Sequence, residues 1–231
     1  MLIIAGLFPG IIVVVTLLLD LIAVAYGSLA SIPIGTMIAV FCIWLFIAFP
    51  LTIVGTIIGK NYDGKPDNPC RTNPVPRPIP RREWYMRPWV NIALGGVLPF
   101  GSVFIEVYFL LTAQFHYKTY YVFGILLLVY AILIIVILCT TIVSVYFLLN
   151  AENHRWQWNA FASAASTGLY VFLYATYFFF AKTSQSGFFQ VAFYFGYMAM
   201  ACTGLAILCG AVGFCGAAVF VHSLFKGIKS E

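Results

Sequence analysis

Residues 60–88 read KNYDGKPDNPCRTNPVPRPIPRREWYMRP, and this polar stretch separates two long apolar blocks. It holds 10 of the 19 charged residues of the chain and seven of its 11 prolines. Proline fixes φ and lacks a backbone N–H, so the stretch is predicted to form neither a helix nor a central strand. Alternation of proline with Val75, Arg77 and Ile79 favours an extended, polyproline-like strap.

The charge of this loop orients the chain in a membrane. Seven of its charged residues are basic and three are acidic. Loops rich in Lys and Arg stay on the cytoplasmic side of a membrane protein. With an even number of spans, the inner loops and tail hold ten basic residues and the outer loops hold only Lys118 and Lys182. We therefore predict that both termini of this chain are cytoplasmic.

The composition predicts a membrane protein. The chain is 63% apolar and 8% charged, whereas roughly a quarter of the residues of a soluble domain are charged. Its apolar runs are long enough to cross a bilayer core of about 30 Å, and backbone groups in lipid are paired within helices. The fold class is therefore an all-α polytopic membrane helix bundle. We predict six transmembrane helices, over Leu2–Ala25, Ile32–Ile58, Trp89–Ala113, Tyr120–Leu149, Trp158–Ala181 and Phe188–Phe225.

This reading divides the chain into four parts. Residues 1–58 form two transmembrane helices, and residues 59–88 form the proline-rich basic cytoplasmic loop. Residues 89–225 form four further transmembrane helices, and residues 226–231 form a cytoplasmic tail. The chain enters its first apolar run without a basic segment or a cleavage site of the signal-peptide kind. We expect from this that the natural protein begins upstream of Met1.

Small residues recur at helical spacing in several spans. They allow helix backbones to approach closely, which favours association in lipid. We expect most of them to serve packing within the bundle, and the remaining interpretation is recognition of a partner's membrane helix. The patterns are Gly6-x-x-x-Gly10, Gly55-x-x-x-Gly59, residues 162–168, and Gly210, Gly213 and Gly216.

Two acids, Asp20 and Glu106, lie within predicted spans. A charged carboxylate in the bilayer core costs several kcal/mol, so such an acid faces the bundle or a wet cavity, or carries a proton. Glu106 shares a helix face with Ser102 and Pro99. Two interpretations stay open for these acids, a buried structural hydrogen bond and a proton or cation site.

The sequence argues against enzyme, metal, cofactor and nucleic-acid chemistry. His116, His154 and His222 lie far apart in the chain, and no known hydrolase, metalloprotease or P-loop motif is present. The six cysteines form no C-x-x-C pair. The excess positive charge lies in loops between apolar spans, where it indicates topology. We expect no enzyme activity, no catalytic residue, no cofactor, no metal and no nucleic-acid partner.

Several motifs are shared with one family. The central loop contains Arg71-Thr72-Asn73, Ile79-Pro80 and Trp84-Tyr85-Met86, and the third span contains Leu98-Pro99-Phe100-Gly101 and Phe104-Ile105-Glu106. Further matches are Phe8-Pro9-Gly10-Ile11, Pro33-x-Gly35-Thr36, Pro50-Leu51-Thr52, Tyr194-Phe195-Gly196-Tyr197-Met198 and the terminal Lys229-x-Glu231. In these motifs the chain resembles the nonaspanins, the transmembrane 9 superfamily of endomembrane proteins.

This resemblance implies a location and a function. A nonaspanin has a lumenal N-terminal domain and nine spans, of which this chain would be the C-terminal membrane portion. The resemblance implies a multi-pass protein of Golgi or endosomal membranes that sorts or localises other membrane proteins. Lys229 and Glu231 resemble a Golgi-retention signal that binds coatomer, and the spans would contact the bilayer and the membrane helices of cargo. The alternative is a proton- or cation-coupled transporter or channel that uses Glu106.

Overall fold

The computed structural model describes residues 2–28, 31–62, 78, 87–114, 120–183 and 187–226. Within these ranges every regular element is a helix, and six helical segments are long and apolar enough to span a membrane. The predicted fold class and number of spans are therefore confirmed. The strap conformation predicted within residues 60–88 falls almost entirely outside the described residues, as does the tail from residue 227.

Seven α-helices and one π-helical turn make up the six spans. Helix α1 covers Leu2–Ala25, and α2 (Ile34–Ile43), a π-turn (Trp44–Ala48) and α3 (Phe49–Tyr62) together form the second span. The remaining spans are α4 (Pro88–Gln114), α5 (Tyr120–Asn150), α6 (Trp156–Lys182) and α7 (Phe188–Lys226). Most predicted ends lie within two residues of these bounds, and the second span continues four residues beyond the predicted Ile58.

Local backbone chemistry explains where helices end. Helix α1 stops at Gly27, which has a φ of 59°, a conformation that glycine adopts without steric cost. The N–H of Ser28 donates to the Ala23 carbonyl (3.0 Å) and that of Gly27 to the Val24 carbonyl (3.0 Å). This pair of bonds is the Schellman motif, which satisfies carbonyls at a helix C-terminus. Helix α5 ends in the same way, with Glu152 in the left-handed position (φ 54°).

Pro50 accounts for the π-turn in the second span. In an uninterrupted α-helix its ring would clash with the carbonyl four residues earlier, and proline has no N–H to donate. The turn before it is widened by one residue, so that the N–H of Phe49 donates to the carbonyl of Trp44. A π-turn of this kind is an identifiable cause of a local break in a helix.

The chain divides into two compact units. The N-terminal unit comprises residues 1–67 and 185–200, and therefore α1, the second span and the first part of α7. The C-terminal unit comprises residues 68–184 and 201–231, and therefore α4, α5, α6 and the rest of α7. Each unit is described separately below.

The C-terminal unit contains a packed core. Residues of α4, α5, α6 and α7 meet in one buried cluster, which consists of Val103, Val129, Leu133, Ile137, Ala164 and Cys209. A second cluster joins α5, α6 and α7 through Val145, Ala160 and Ala217, and the rings of Trp156 and Phe214 stack beside it with centroids 6.1 Å apart. Helix α6 alone has eleven buried residues, which makes it the central helix of this unit.

The N-terminal unit is far more open. No residue of α2, the π-turn or α3 is buried. Helix α1 contributes Leu19 and Ala23 as its buried hydrophobic residues, with Leu19 packed against Gly196 of α7. The ring of Tyr26 contacts Phe189, with centroids 5.8 Å apart. The second span is thus held by few contacts with other described residues of its unit.

Candidate functional site

Asp20 fastens the connection between α1 and α2. Its side chain is half-buried, and Oδ1 accepts a hydrogen bond of 2.7 Å from the backbone N–H of Ile32. Ile32 lies two residues before α2 begins, so the bond joins the end of the first span to the start of the second. An intramolecular hydrogen bond typically stabilises by about 0.5–1.5 kcal/mol. This geometry gives Asp20 a structural hydrogen bond within the N-terminal unit.

Glu106 lies in the C-terminal unit, in a different environment. Its Oε2 atom is buried and has no hydrogen-bond partner among the described residues. The hydroxyl of Ser102, one turn earlier, donates instead to the Pro99 carbonyl (2.7 Å). Within the described residues, this oxygen therefore lends no support to the interpretation of Glu106 as a buried structural hydrogen bond. A buried, unsatisfied polar atom calls for an explanation, which is taken up below.

Neutral polar side chains join α4 to its neighbours. The Ser166 hydroxyl lies 2.8 Å from the Ile92 carbonyl, and the Tyr170 hydroxyl donates to the Ala93 carbonyl at 2.9 Å. On the α5 side, the Ser144 hydroxyl donates to Asn91 Oδ1 at 2.9 Å. Bonds of this kind between membrane helices contribute about 0.6 kcal/mol each, and 1.7 at most. They fix the register of the three helices.

Glycines of the C-terminal unit allow close helix packing. A Cβ atom built on Gly168 would lie 2.7 Å from the backbone oxygen of Cys202 and 2.7 Å from the Cβ of Ala206. One on Gly213 would lie 2.5 Å from the Cβ of Ala164. The same holds for four other positions, where the neighbour is a side chain of another helix: Gly95 with Ser163, Gly96 with Ser166, Gly210 with Phe161 and Gly216 with Leu138.

The glycine pairs of the N-terminal unit lie beside open space. Among the described residues, a Cβ built on Gly6, Gly10, Gly55 or Gly59 meets no atom within 4 Å. Gly55 and Gly59 are one helical turn apart on α3 and both are exposed. They therefore form a small-residue face that is open to a neighbour, which we call the α3 face. The small-residue patterns predicted from the sequence thus fall into two classes. In one class a neighbouring helix occupies the space beside the glycines, and in the other that space is open.

The structure also contains a feature that the sequence analysis missed, an apolar groove between α1 and α2. The sequence signal that could have indicated this groove is Gly27, since a glycine there allows the turn that brings two consecutive apolar spans side by side. Lys229 and Glu231, the predicted sorting signal, lie outside the described residues. Among those described, no group of three or more His, Cys, Asp or Glu side chains is placed to hold a metal ion.

Comparison with known proteins identifies the family. The family model for endomembrane protein 70 matches residues 1–188. The chain belongs to this family, the transmembrane 9 superfamily. It is 38% identical over 226 residues to transmembrane 9 superfamily member 4 of Arabidopsis thaliana. It is also 37% identical over 228 residues to human transmembrane 9 superfamily member 4.

These matches cover 98% of the chain but 38% and 35% of the two relatives. This transmembrane 9 chain therefore spans a little over a third of the length of the curated relatives it matches. No solved structure matches it. The resemblance inferred from the loop and third-span motifs is confirmed.

Proposed function

We propose that this protein sorts or localises other membrane proteins in Golgi or endosomal membranes, and that it recognises their membrane helices at the α3 face. Family membership supports the endomembrane role. The observation that carries the recognition step is the exposed pair Gly55 and Gly59, on a span without a buried residue. Small residues one turn apart let a second helix approach closely enough for backbone contact.

The α3 face has the composition that such recognition needs. Thr52 and Thr56 lie near the glycines, and their hydroxyls donate to carbonyls of their own helix at 2.6 Å. Their hydroxyl protons are thus already used within the helix, so the face requires no polar partner to be satisfied. Shape and van der Waals packing then determine which helices bind.

A rescue experiment tests the α3 face. Cells lacking the protein would receive either the parent or a Gly55→Leu, Gly59→Leu double variant, and the distribution of membrane proteins among organelles would be measured. We expect the parent to restore the distribution and the double variant to fail at normal abundance. Gly101→Leu is the matched control, because a Cβ built on Gly101 of α4 also meets no atom of the described residues within 4 Å. Rescue by the double variant equal to that of the parent would contradict recognition at this face.

We further propose that both termini are cytoplasmic and that Lys229 and Glu231 form a retention signal for coatomer. The ten-to-two distribution of basic residues supports this orientation. A signal of this size acts through charge, and losing a charged hydrogen bond of about 1.5–3 kcal/mol weakens binding tenfold or more.

Tail variants test this signal. Lys229→Ser or Glu231→Ala should weaken coatomer binding and move the protein from the Golgi to later compartments. Lys226→Ser is the control, because Lys226 ends α7 and lies outside the signal. In the same cells, a membrane-impermeant thiol reagent applied to a variant that keeps only Cys70 reports the side of the central loop. Unchanged location of both signal variants would place the signal elsewhere in the protein.

One observation favours a second candidate function. Oε2 of Glu106 is buried within a membrane span and has no hydrogen-bond partner in the part of the chain that the structure describes, and an intramembrane acid is a functional-site candidate by default. Proton- or cation-coupled transport is therefore the alternative activity, with Glu106 as the group that binds the ion. Substitution of this residue, described in the Discussion, separates the two candidates.

A further inference from the structure

The apolar groove of the N-terminal unit lies between Gly6–Leu17 of α1 and Ile32–Trp44 of the second span. Its volume is about 610 Å³, within the range of roughly 300–1,000 Å³ that is typical of small-molecule sites. Among the described lining residues, the side-chain polar groups are the hydroxyls of Thr16 and Thr36 and the indole of Trp44. Thr16 Oγ1 lies 3.9 Å from the sulfur of Met200. The groove therefore suits an occupant without charge.

The groove has the length of one bilayer leaflet. The lining residues Gly6 to Leu17 cover about 17 Å of helix at 1.5 Å per residue. On the other wall, the groove begins at Ile32 beside the α1–α2 connection, and Trp44 lies about 15 Å beyond the start of α2. Half of a hydrocarbon core of about 30 Å is also about 15 Å. Each wall of the groove is thus about as long as one leaflet is thick, and the α1 wall lies in the first two-thirds of its helix.

The groove is continuous with the surface that faces lipid. Val13, Leu17, Val40 and Phe41 line it, and each is at least 48% exposed. In a chain with six membrane-spanning segments, apolar side chains exposed on these helices contact the hydrocarbon chains of the bilayer. Lipid chains therefore reach the groove without passing any polar barrier formed by its described walls.

The lining of the groove suits a hydrocarbon chain, because its described residues carry no charged side chain. Such a chain could lie along the groove over its length of about 17 Å.

We infer that this groove is a binding site for one hydrocarbon chain of a membrane lipid. Glycine at positions 6 and 10 leaves the space that the chain occupies, since a Cβ on either residue meets no atom of the described residues within 4 Å. The hydrogen bond from Ile32 to Asp20 holds the α2 wall against the end of α1. The site is independent of the α3 face, whose glycines do not line it.

Photolabelling with a lipid tests this inference. The full chain would be reconstituted in vesicles of phosphatidylcholine that contain a small fraction of the same lipid with a diazirine near the end of one acyl chain. After illumination, adducts would be mapped by mass spectrometry of peptides. We expect adducts on the groove walls of α1 and α2 to exceed those on exposed residues of α3, such as Leu51, because a bound chain stays longer than a bulk chain.

Matched variants make the test specific. Gly10→Leu fills the groove and should lower adducts on its walls by about tenfold, equivalent to about 1.4 kcal/mol. Gly55→Leu adds the same side chain at an open glycine outside the groove and should leave them unchanged. Gly6→Leu fills the groove at a second position if Gly10→Leu does not fold. Equal labelling of groove and α3 residues, or labelling that neither groove variant lowers, would overturn the inference. Cross-links from the groove walls to another protein in place of lipid would also overturn it.

Discussion

The two units use the same small residues in opposite ways. In the C-terminal unit, six glycines lie against side chains or backbone of a neighbouring helix, whereas Gly101 is open. In the N-terminal unit, Gly6, Gly10, Gly55 and Gly59 face open space among the described residues, whereas Gly196 packs against Leu19. A glycine pattern at helical spacing therefore predicts that a helix can be approached closely. Whether the approaching group belongs to the same fold depends on the packing of the other helices.

The largest expected effect is the difference in stability between substituting a glycine that packs against another helix and substituting one that faces open space. Gly168→Leu would drive a side chain into the backbone of α7 near Cys202. We expect destabilisation at or above the upper end of the roughly 1–3 kcal/mol that overpacking costs. Gly55→Leu should change stability by no more than about 0.5 kcal/mol, as for an exposed site. Unfolding of both purified variants in mixed micelles measures the difference. Equal destabilisation would show that Gly55 is packed and would remove the distinction between the units.

An intermediate effect is expected at Asp20, the polar contact that fastens the open unit. Asp20→Leu removes the acceptor for the Ile32 N–H, and leaving a buried donor without an acceptor costs about 1–3 kcal/mol. Hydrogen exchange of the Ile32 amide should therefore accelerate tenfold or more. Asp20→Asn keeps an oxygen acceptor and should accelerate it less. If both variants exchange like the parent, the connection is held by other contacts and the N-terminal unit is less open than described.

Of the two acids, Glu106 is expected to show the smaller effect on stability. Glu106→Gln keeps the shape of the side chain, and Oε2 has no hydrogen bond to lose among the described residues. We expect a change in unfolding free energy within about 1 kcal/mol, at the low end of typical substitutions. The function proposed first also predicts normal rescue of membrane-protein location by this variant.

The same variant tests the alternative activity. Proton flux into vesicles containing the parent and the Glu106→Gln protein would be compared, with Ser102→Ala as a control one turn away. If the parent supports proton flux and the Glu106→Gln variant abolishes it with the fold intact, the result would favour transport over sorting. The C-terminal unit would then be the unit that conducts protons.

The sequence predicts the spans well because the bilayer sets their length. Apolar runs of more than 20 residues can be assigned to spans with few alternatives, and the basic loop at 60–88 separates the second span from the third. The second span is four residues longer than predicted, because α3 continues through Gly59, Lys60, Asn61 and Tyr62 after the apolar run has ended. Hydropathy indicates where the hydrocarbon core ends, whereas a helix can continue beyond that point.

The candidate site was less predictable because it depends on contacts between residues distant in the chain. Asp20 finds its donor twelve residues later, in a backbone N–H that no side-chain pattern marks. Glu106 shares a helix face with Ser102, but the serine hydroxyl bonds to its own helix, so helical spacing predicted proximity without predicting a bond. The groove arises from the pairing of α1 with α2, and each wall alone is an ordinary apolar helix.

The π-turn at Trp44–Ala48 has a consequence for how the second span can change. One extra residue in a turn rotates everything after it by about 100° around the helix axis, relative to an uninterrupted α-helix. The groove wall lies mainly before the turn and the α3 face lies after it, so the turn sets the angle between them. Replacing Pro50 so that the same residues form a regular α-helix would turn the α3 face through about that angle, with every side chain of the face retained. The spacing of Gly55 and Gly59 would be the same, yet the helix that approached them would have to come from another direction.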